Sequence, residues 1–209
     1  MEWGTLPGSG PGAAALGRNL RGLRLLELGC GHGHNAAHLA GAHKARVMAI
    51  DTVDLQIHRA RDWYGHIPGT TFLTCDALRY LGRQGELFDV VYSVFGAIGL
   101  VDPDRLLSAI ARRLRPRGRL VFSVPHPHRA AHSRVDDARP IWDVLRLPDG
   151  TQRPYMRWAL GLPEWKDVLI RSGLRPVETR ELGDPRSTRA TTLMISARRP
   201  SSPSHTPPR

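Results

Sequence analysis

Short apolar, β-branched segments alternate with segments of helical periodicity along most of the sequence, and this alternation limits the fold severely. The predicted strands span 24–29, 46–51, 70–75, 88–94, 119–124, 176–181 and 191–197. The predicted helices span 35–42, 55–64, 77–81, 103–114 and 162–172. Strands that alternate with helices predict an α/β fold whose largely parallel sheet carries helices on both faces.

The length of 209 residues suits a single domain, which we place at 23–199. Residues 1–22 form a short, turn-rich lead-in that is a candidate part of a lid, and the Pro/Ser-rich residues 200–209 predict a disordered tail. The segment 125–161 breaks the alternation, because it is rich in His, Arg, Pro and Trp and predicts a hairpin around Pro148-Asp149-Gly150. It follows the fifth strand, at the sheet edge where open α/β folds bind ligands, so we interpret it as a substrate lid.

The composition argues against several classes of protein. No apolar run is long enough to cross a membrane, and the first residues lack the basic and apolar regions of a secretion signal. The two cysteines, Cys30 and Cys75, both fall in predicted core segments and are interpreted as buried thiols rather than as a disulfide or metal ligands. We therefore expect a cytoplasmic protein that binds no metal.

The stretch LLELGCGHGHN, from Leu25 to Asn35, joins the first strand to the first helix through closely spaced glycines. Such a loop exposes backbone N–H groups and a helix N-terminus to a ligand. Gly29, Gly31 and Gly33 depart from the dinucleotide pattern, which has its third glycine at the position of His34. The carboxylate of Glu27 suits a ligand with positive charge, such as an ammonium or a sulfonium. The loop therefore fits a nucleoside linked to an amino acid better than NAD.

Two more carboxylates lie at the carboxyl ends of predicted strands. Asp51 ends the second strand, where a carboxylate can accept hydrogen bonds from both ribose hydroxyls. Asp76 follows the third strand and could accept from an adenine amine, while Ala77 offers its backbone N–H to the ring; Asp76 could instead be only a helix N-cap. The predicted cofactor-binding residues are Glu27, Gly29, Cys30, Gly31, Gly33, Asp51, Thr52, Asp76, Ala77 and Ser93.

With these residues in register, the sequence resembles the class I S-adenosylmethionine-dependent methyltransferases of small molecules. The motif ELGCGHG, the two strand-terminal aspartates and LRPRG before the fifth strand carry the resemblance, which is close over 23–127 and holds in outline over 162–197. It implies a Rossmann-like seven-stranded mixed sheet in the order 3-2-1-4-5-7-6, with the last strand antiparallel. It also implies S-adenosylmethionine as the cofactor, S-adenosylhomocysteine as the product and a small molecule as the methyl acceptor.

Methyl transfer chiefly needs alignment of donor and acceptor, and some acceptors also need a general base. His126 and His128, directly after the fifth strand, are the candidate bases, although His126 could instead only hydrogen-bond its loop. Their spacing also suits a metal, but no carboxylate accompanies them. The predicted substrate-binding residues are Phe95, Trp142, Tyr155 and Trp158. We expect O- or N-methylation of a small molecule in specialised metabolism, by a monomer or homodimer.

The net charge of +11 raises the alternative of a nucleic-acid substrate. Arginine outnumbers lysine 28 to 2 and is scattered, which favours a compositional bias. The fourth strand ends in Ser93-Val94-Phe95-Gly96, which lacks the Asn/Asp-Pro-Pro-Tyr/Phe turn of enzymes that methylate base amines. The remaining alternatives are an RNA methyltransferase, an NAD-dependent oxidoreductase and a methyltransferase-like protein without activity.

Overall fold

The computed structural model describes residues 1–4, 10–127, 140–146, 150–183 and 190–201, and at 145 and 146 it describes the backbone alone. The strands are β1 (Arg24–Leu28), β2 (Arg46–Asp51), β3 (Thr70–Thr74), β4 (Phe88–Val94), β5 (Leu114–Pro125), β6 (Pro140–Arg146), β7 (Gln152–Trp158), β8 (Arg175–Leu182) and β9 (Thr192–Arg198). The helices are α1 (His34–His43), α2 (Asp54–Tyr64), α3 (Ala77–Leu81), α4 (Pro103–Arg113) and α5 (Leu162–Arg171), preceded by a 3₁₀ turn over Gly12–Ala15.

Seven of the strands form one sheet in the order β3-β2-β1-β4-β5-β9-β8. All neighbours from β3 to β5 pair in parallel, whereas β9 is antiparallel to both β5 and β8. The predicted α/β class, the mixed sheet and the antiparallel last strand are confirmed. The predicted sixth and seventh strands are β8 and β9, because β6 and β7 pair with each other in a separate antiparallel hairpin.

The sheet has an apolar core on each face. On one face α3, α4 and α5 pack on the sheet, and Trp165 of α5 lies against Phe122 of β5 with ring centroids 5.1 Å apart. On the other face lie α1, α2 and the N-terminal segment, whose Trp3 is fully buried and donates through Nε1 to the carbonyl of Gly12 at 2.7 Å. Trp3, Ala13, Leu16 and Leu20 of the N-terminal segment therefore belong to the core on this face.

The segment after β5 contains the predicted hairpin. Its strands β6 and β7 pair over their full length, from Pro140 opposite Trp158 to Arg146 opposite Gln152. Residues 128–139 and 147–149 lie outside the described residues, and so do His128 and the first two residues of the predicted turn. The predicted tail also falls outside them from residue 202 onward.

Candidate functional site

The loop between β1 and α1 is built from glycines in a left-handed conformation. The φ angles of Gly29, Gly31 and Gly33 are 73°, 53° and 84°, which L side chains rarely adopt. A Cβ on Gly29 would lie 2.6 Å from the Cα of Gly96, and a Cβ on Gly33 would lie 2.5 Å from the Phe72 ring. A Cβ on Gly31 would meet no atom within 4 Å. Gly29 and Gly33 thus serve close packing, whereas Gly31 leaves open space beside the loop.

That space belongs to a cavity of about 520 Å³ at the carboxyl ends of β1, β2, β3 and β4. Most of the predicted site residues line it, namely Glu27, Gly29, Cys30, Gly31, Asp51, Thr52, Asp76, Ala77 and Phe95. The N-terminal segment adds Glu2 and Gly4 to the wall. The strand order brings these residues together, because parallel neighbours end at the same edge of the sheet.

Glu27 is a buried acid in this wall, with 1% of its surface exposed. The hydroxyl of Tyr92 donates to its Oε2 at 3.0 Å, and the side chain of Asn35 and the backbone N–H of Ala36 also hydrogen-bond it. Burial raises the pKa of Glu27 to about 8 despite these hydrogen bonds. The carboxyl is therefore mostly protonated at neutral pH unless a cation enters the cavity.

Asn35 was not predicted as a site residue, although it lines the cavity and is only 3% exposed. Its Oδ1 has no hydrogen-bond partner among the described residues. A buried amide oxygen without a partner is costly, so it marks a place where a ligand donor can bind. The sequence signal that could have identified Asn35 is its place in the first turn of a helix that follows a glycine-rich loop.

The two strand-terminal aspartates are fixed differently. Both carboxylate oxygens of Asp51 accept from backbone, one from Gly31 N at 2.8 Å and the other from Val53 N at 2.9 Å. Asp76 is the N-cap of α3, and its Oδ1 accepts from Arg79 N at 2.9 Å. Asp76 is therefore an N-cap that also faces the cavity. These backbone bonds hold both carboxylates in place beside the cavity.

The loop after β4 forms the opposite wall. Phe95 has a φ of 49°, which is unusual for a residue with a side chain. Ser93 lies beneath this loop: it is fully buried, donates from Oγ to the carbonyl of Leu28 at 2.8 Å, and does not line the cavity. His32 and His34 line the cavity and were also not predicted; burial lowers the pKa of His34, and His32 lowers it further.

The predicted base and most predicted substrate residues lie away from the cavity wall. His126 is 4% exposed, donates from its backbone N to Thr191 O at 2.9 Å, and has its Nε2 3.5 Å from Glu181 Oε1. Trp142 is 71% exposed, whereas Tyr155 and Trp158 are half-buried. Their roles stay predictions, as does that of His128.

Neither a metal site nor a membrane span is found in the part of the chain that the structure describes. Its His, Cys, Asp and Glu side chains form no group that could hold a metal ion. None of its helices is both long enough and apolar enough to cross a membrane. Cys30 and Cys75 are both buried free thiols, and burial raises the pKa of the Cys30 thiol.

Comparisons with known proteins point to one family. Residues 25–118 match the family model described as a methyltransferase domain. O-methyltransferase rstn1 of Aspergillus nomiae is 32% identical over 171 residues, which cover 75% of this chain and 72% of the relative. A glycine/sarcosine/dimethylglycine N-methyltransferase of Actinopolyspora halophila is 27% identical over 167 residues, or 77% of this chain.

A solved S-adenosylmethionine-dependent methyltransferase from Mesorhizobium loti shares the fold, with a TM-score of 0.66 and 26% identity. The match covers 88% of this chain and 94% of that protein. Several curated relatives are much longer: the chain spans 27% of the Actinopolyspora protein, and 38% and 40% of two others.

Proposed function

Because the chain belongs to the class I S-adenosylmethionine-dependent methyltransferase family, we propose that it methylates an oxygen or nitrogen atom of a small molecule. The observation that carries this proposal is the arrangement of three acids around one cavity. Glu27, Asp51 and Asp76 line the same space at the ends of β1, β2 and β3. The order of these acids along the sheet edge matches the order of the amino-acid group, the ribose and the adenine in S-adenosylmethionine.

The described residues fit S-adenosylmethionine at its cationic end. Glu27 and the unpartnered Oδ1 of Asn35 offer acceptors to an α-ammonium group, and both are almost fully buried. Gly31 leaves room for the methionine part to approach the backbone. Asp51 is assigned to the ribose hydroxyls, and Asp76 with the backbone N–H of Ala77 to the adenine.

An NAD-dependent oxidoreductase is the alternative with the same general fold. The pyrophosphate of NAD would lie against the glycine loop, where it would meet the buried carboxyl of Glu27. Position 34, where the dinucleotide pattern has its third glycine, holds His34. The buried Oδ1 of Asn35 can only accept a hydrogen bond, and a cation favours the charged form of Glu27, so these two groups favour an ammonium over a pyrophosphate.

When bound, the cofactor supplies a methyl group that its positive sulfur leaving group has already activated. The chain's main task is then to hold donor and acceptor in line, and such positioning lowers reaction barriers by about 7–11 kcal/mol. Phe95 and Gly96 line the cavity, and we place the acceptor beside them. We assign deprotonation of the acceptor, where it is needed, to His126 or His128.

One relative is named as an O-methyltransferase and another as a glycine/sarcosine/dimethylglycine N-methyltransferase, which supports oxygen or nitrogen as the methylated atom. We propose an acceptor from specialised metabolism, with no nucleic acid as partner. We also propose that residues 125–161 form a lid over the substrate. Its support is that the hairpin contacts the cavity's β4–α4 loop, where Trp158 N donates to Gly99 O at 2.7 Å.

Calorimetric titration with S-adenosylmethionine, S-adenosylhomocysteine and NADH tests the proposal. We expect the first two to bind at one site and NADH to give no heat of binding. Binding of NADH alone would overturn the cofactor assignment. Binding of S-adenosylmethionine without methyl transfer to any acceptor in a broad panel of phenols, alcohols and amines would favour the non-catalytic alternative.

A further inference from the structure

The pairing of β1 with β4 brings Tyr92 beside Glu27. The two residues are register neighbours in the parallel pair, and the hydroxyl of Tyr92 donates to Glu27 Oε2 at 3.0 Å. Tyr92 is fully buried, and Glu27 is 1% exposed. Glu27 lines the cavity, whereas Tyr92 does not. Tyr92 can therefore act on a ligand only through Glu27.

The hydroxyl of Tyr92 is the part of this side chain that packing does not explain. Tyr92 belongs to the apolar core on the face of the sheet that α1 and α2 cover. Phenylalanine would fill the same space, because the two side chains differ only in the hydroxyl. Burying a hydroxyl costs free energy unless it forms a hydrogen bond. The hydrogen bond that Tyr92 donates goes to Glu27, which indicates a role at the cavity.

The groups around Glu27 suit its charged form. Its carboxyl accepts hydrogen bonds from the hydroxyl of Tyr92, the side chain of Asn35 and the backbone N–H of Ala36. A carboxylate only accepts, whereas a protonated carboxyl would place an O–H donor of its own among these three donors. Burial raises the pKa of Glu27 to about 8, and the three hydrogen bonds oppose that rise. Each donor therefore makes it easier for a cation in the cavity to ionise Glu27.

The other titratable groups beside Glu27 do not replace Tyr92 in this role. From β2, Asp51 raises the pKa of Glu27 further. In the β1–α1 loop, burial and then Glu27 raise the pKa of the Cys30 thiol, so this thiol is neutral at neutral pH. Burial raises the pKa of Tyr92 well above its ordinary value, and Glu27 adds to this effect. The Tyr92 hydroxyl thus remains a donor over the pH range in which Glu27 ionises.

We propose that Tyr92 is a positioning residue that holds Glu27 in place as the counter-ion of the ammonium group of S-adenosylmethionine. This inference rests on the proposed methyltransferase function and adds a residue to its cofactor site. Without the hydroxyl, the buried carboxylate loses one of its donors, and its charged form becomes harder to reach. Tyr92 therefore strengthens cofactor binding without contacting the cofactor.

Calorimetry on the full chain, from about pH 6 to pH 9, compares the binding of S-adenosylhomocysteine with that of methylthioadenosine. The two ligands share the adenosine part, but only S-adenosylhomocysteine carries the ammonium group. Tyr92→Phe removes the hydroxyl and keeps the ring. Tyr80→Phe is the matched control, because Tyr80 is half-buried in α3 and does not line the cavity. The ratio of the affinities of the unaltered and variant proteins cancels the ionisation of the ligand itself.

We expect Tyr92→Phe to weaken S-adenosylhomocysteine binding roughly tenfold at neutral pH. Loss of a donor raises the pKa of Glu27, so the affinity should level off about one pH unit higher, and the deficit should narrow toward pH 9. Methylthioadenosine should bind both proteins equally, and Tyr80→Phe should change neither affinity. A role in packing alone would change the affinities for the two ligands alike, and by the same factor at every pH.

A second measurement uses the unaltered chain and decides the question even if Tyr92→Phe does not fold. With carbon-13 in the tyrosine rings, NMR should show the Cζ signal of Tyr92 moving with a midpoint near pH 8, as Glu27 ionises. Bound S-adenosylhomocysteine should abolish this movement, because Glu27 then stays ionised. Glu27→Gln should abolish it as well.

Three results would overturn the inference. The first is a folded Tyr92→Phe protein that binds S-adenosylhomocysteine as the unaltered chain does, or with the same loss at every pH. The second is an equal loss of methylthioadenosine binding. The third is that no tyrosine signal of the unaltered chain moves near pH 8. Failure of the unaltered chain to bind either ligand would instead overturn the proposed function itself.

Discussion

At the scale of single residues, Glu27 couples the proposed cofactor site to pH. Its carboxyl is buried in the cavity wall, and burial raises its pKa to about 8. A bound cation favours the carboxylate, so binding of S-adenosylmethionine at neutral pH should release a proton. The affinity should rise by about tenfold per pH unit below 8 and level off above it.

Calorimetry in buffers of different ionisation enthalpy, at pH 6 to 9, measures both the proton release and the affinity. Glu27→Gln should bind more weakly at pH 9 and lose the pH dependence. Equal affinity of the unaltered protein at pH 6 and pH 9 would contradict this prediction. The free energy of unfolding of the ligand-free protein should show the opposite trend, because the pKa of Glu27 in the folded state is raised above its ordinary value of 4.5. It should fall as the pH rises from about 4.5 to 8.

Asp51 carries a second prediction at this scale. Replacing Asp51 with Ala should weaken S-adenosylmethionine binding by roughly 1.5–3 kcal/mol, the range for a hydrogen bond to a charged group. It also removes the acceptor for Gly31 N, so thermal unfolding must show that the variant is folded. Asp62→Ala is a matched control, because Asp62 is exposed and does not line the cavity. Unchanged affinity in a folded Asp51→Ala protein would remove the ribose assignment.

At the scale of elements, the sequence predicted most of the sheet because buried parallel strands read as apolar, β-branched runs. The clearest difference is β5, which was expected over 119–124 but begins at Leu114. Residues 114–118, LRPRG, lack an apolar pattern, and Leu114 joins β4 only through its pairing with Phe88 across an irregularity. Such a partner lies far away in the sequence, so local periodicity could not indicate it.

The site was predictable where a residue lies at the carboxyl end of a strand or within two residues of it, because the order of parallel strands brings such residues to one edge of the sheet. Glu27, Asp51 and Asp76 are of this kind, and all three line the cavity. Asn35 and His34 depend on how α1 enters the fold, and the contact of Tyr92 with Glu27 depends on the pairing of β1 with β4. Those features follow from backbone angles and tertiary contacts, which a single sequence does not display.

The β1–α1 loop carries the prediction at this scale. Gly29 and Gly22 have the same φ of 73°, but a Cβ would meet Gly96 Cα at 2.6 Å only at position 29. Gly22→Ala should cost about 1–2 kcal/mol from backbone strain alone. Gly29→Ala should cost about 1–3 kcal/mol more and weaken cofactor binding. Urea unfolding of both variants measures the difference, and equal losses would show that close packing at Gly29 is unimportant.

At the scale of the whole molecule, several of the arginines that give the chain its high positive charge make hydrogen bonds or ion pairs within the fold. The densest arginine stretch, 112–119, contains several side chains with partners in the protein. Arg113 donates to backbone carbonyls, Arg115 pairs with Asp89 at 2.8 Å, and Arg119 donates to the carbonyl of Ala15 at 2.7 Å. These arginines are committed to holding the sheet and its loops together, which reduces the charge left to contact phosphates.

We therefore expect only weak, salt-dependent binding to nucleic acids, with a dissociation constant no tighter than about 1 μM at physiological salt. Fluorescence anisotropy with duplex DNA and with single-stranded RNA, over a series of salt concentrations, measures this. Residual binding should follow net charge and decline steeply with salt, because it would come from counterion release rather than from a shaped site. Nanomolar retention at physiological salt, together with methyl transfer to the nucleic acid, would contradict the small-molecule assignment. Such binding would also mean that the arginines without partners inside the protein have a function. A compositional bias explains the number of arginines without assigning them one.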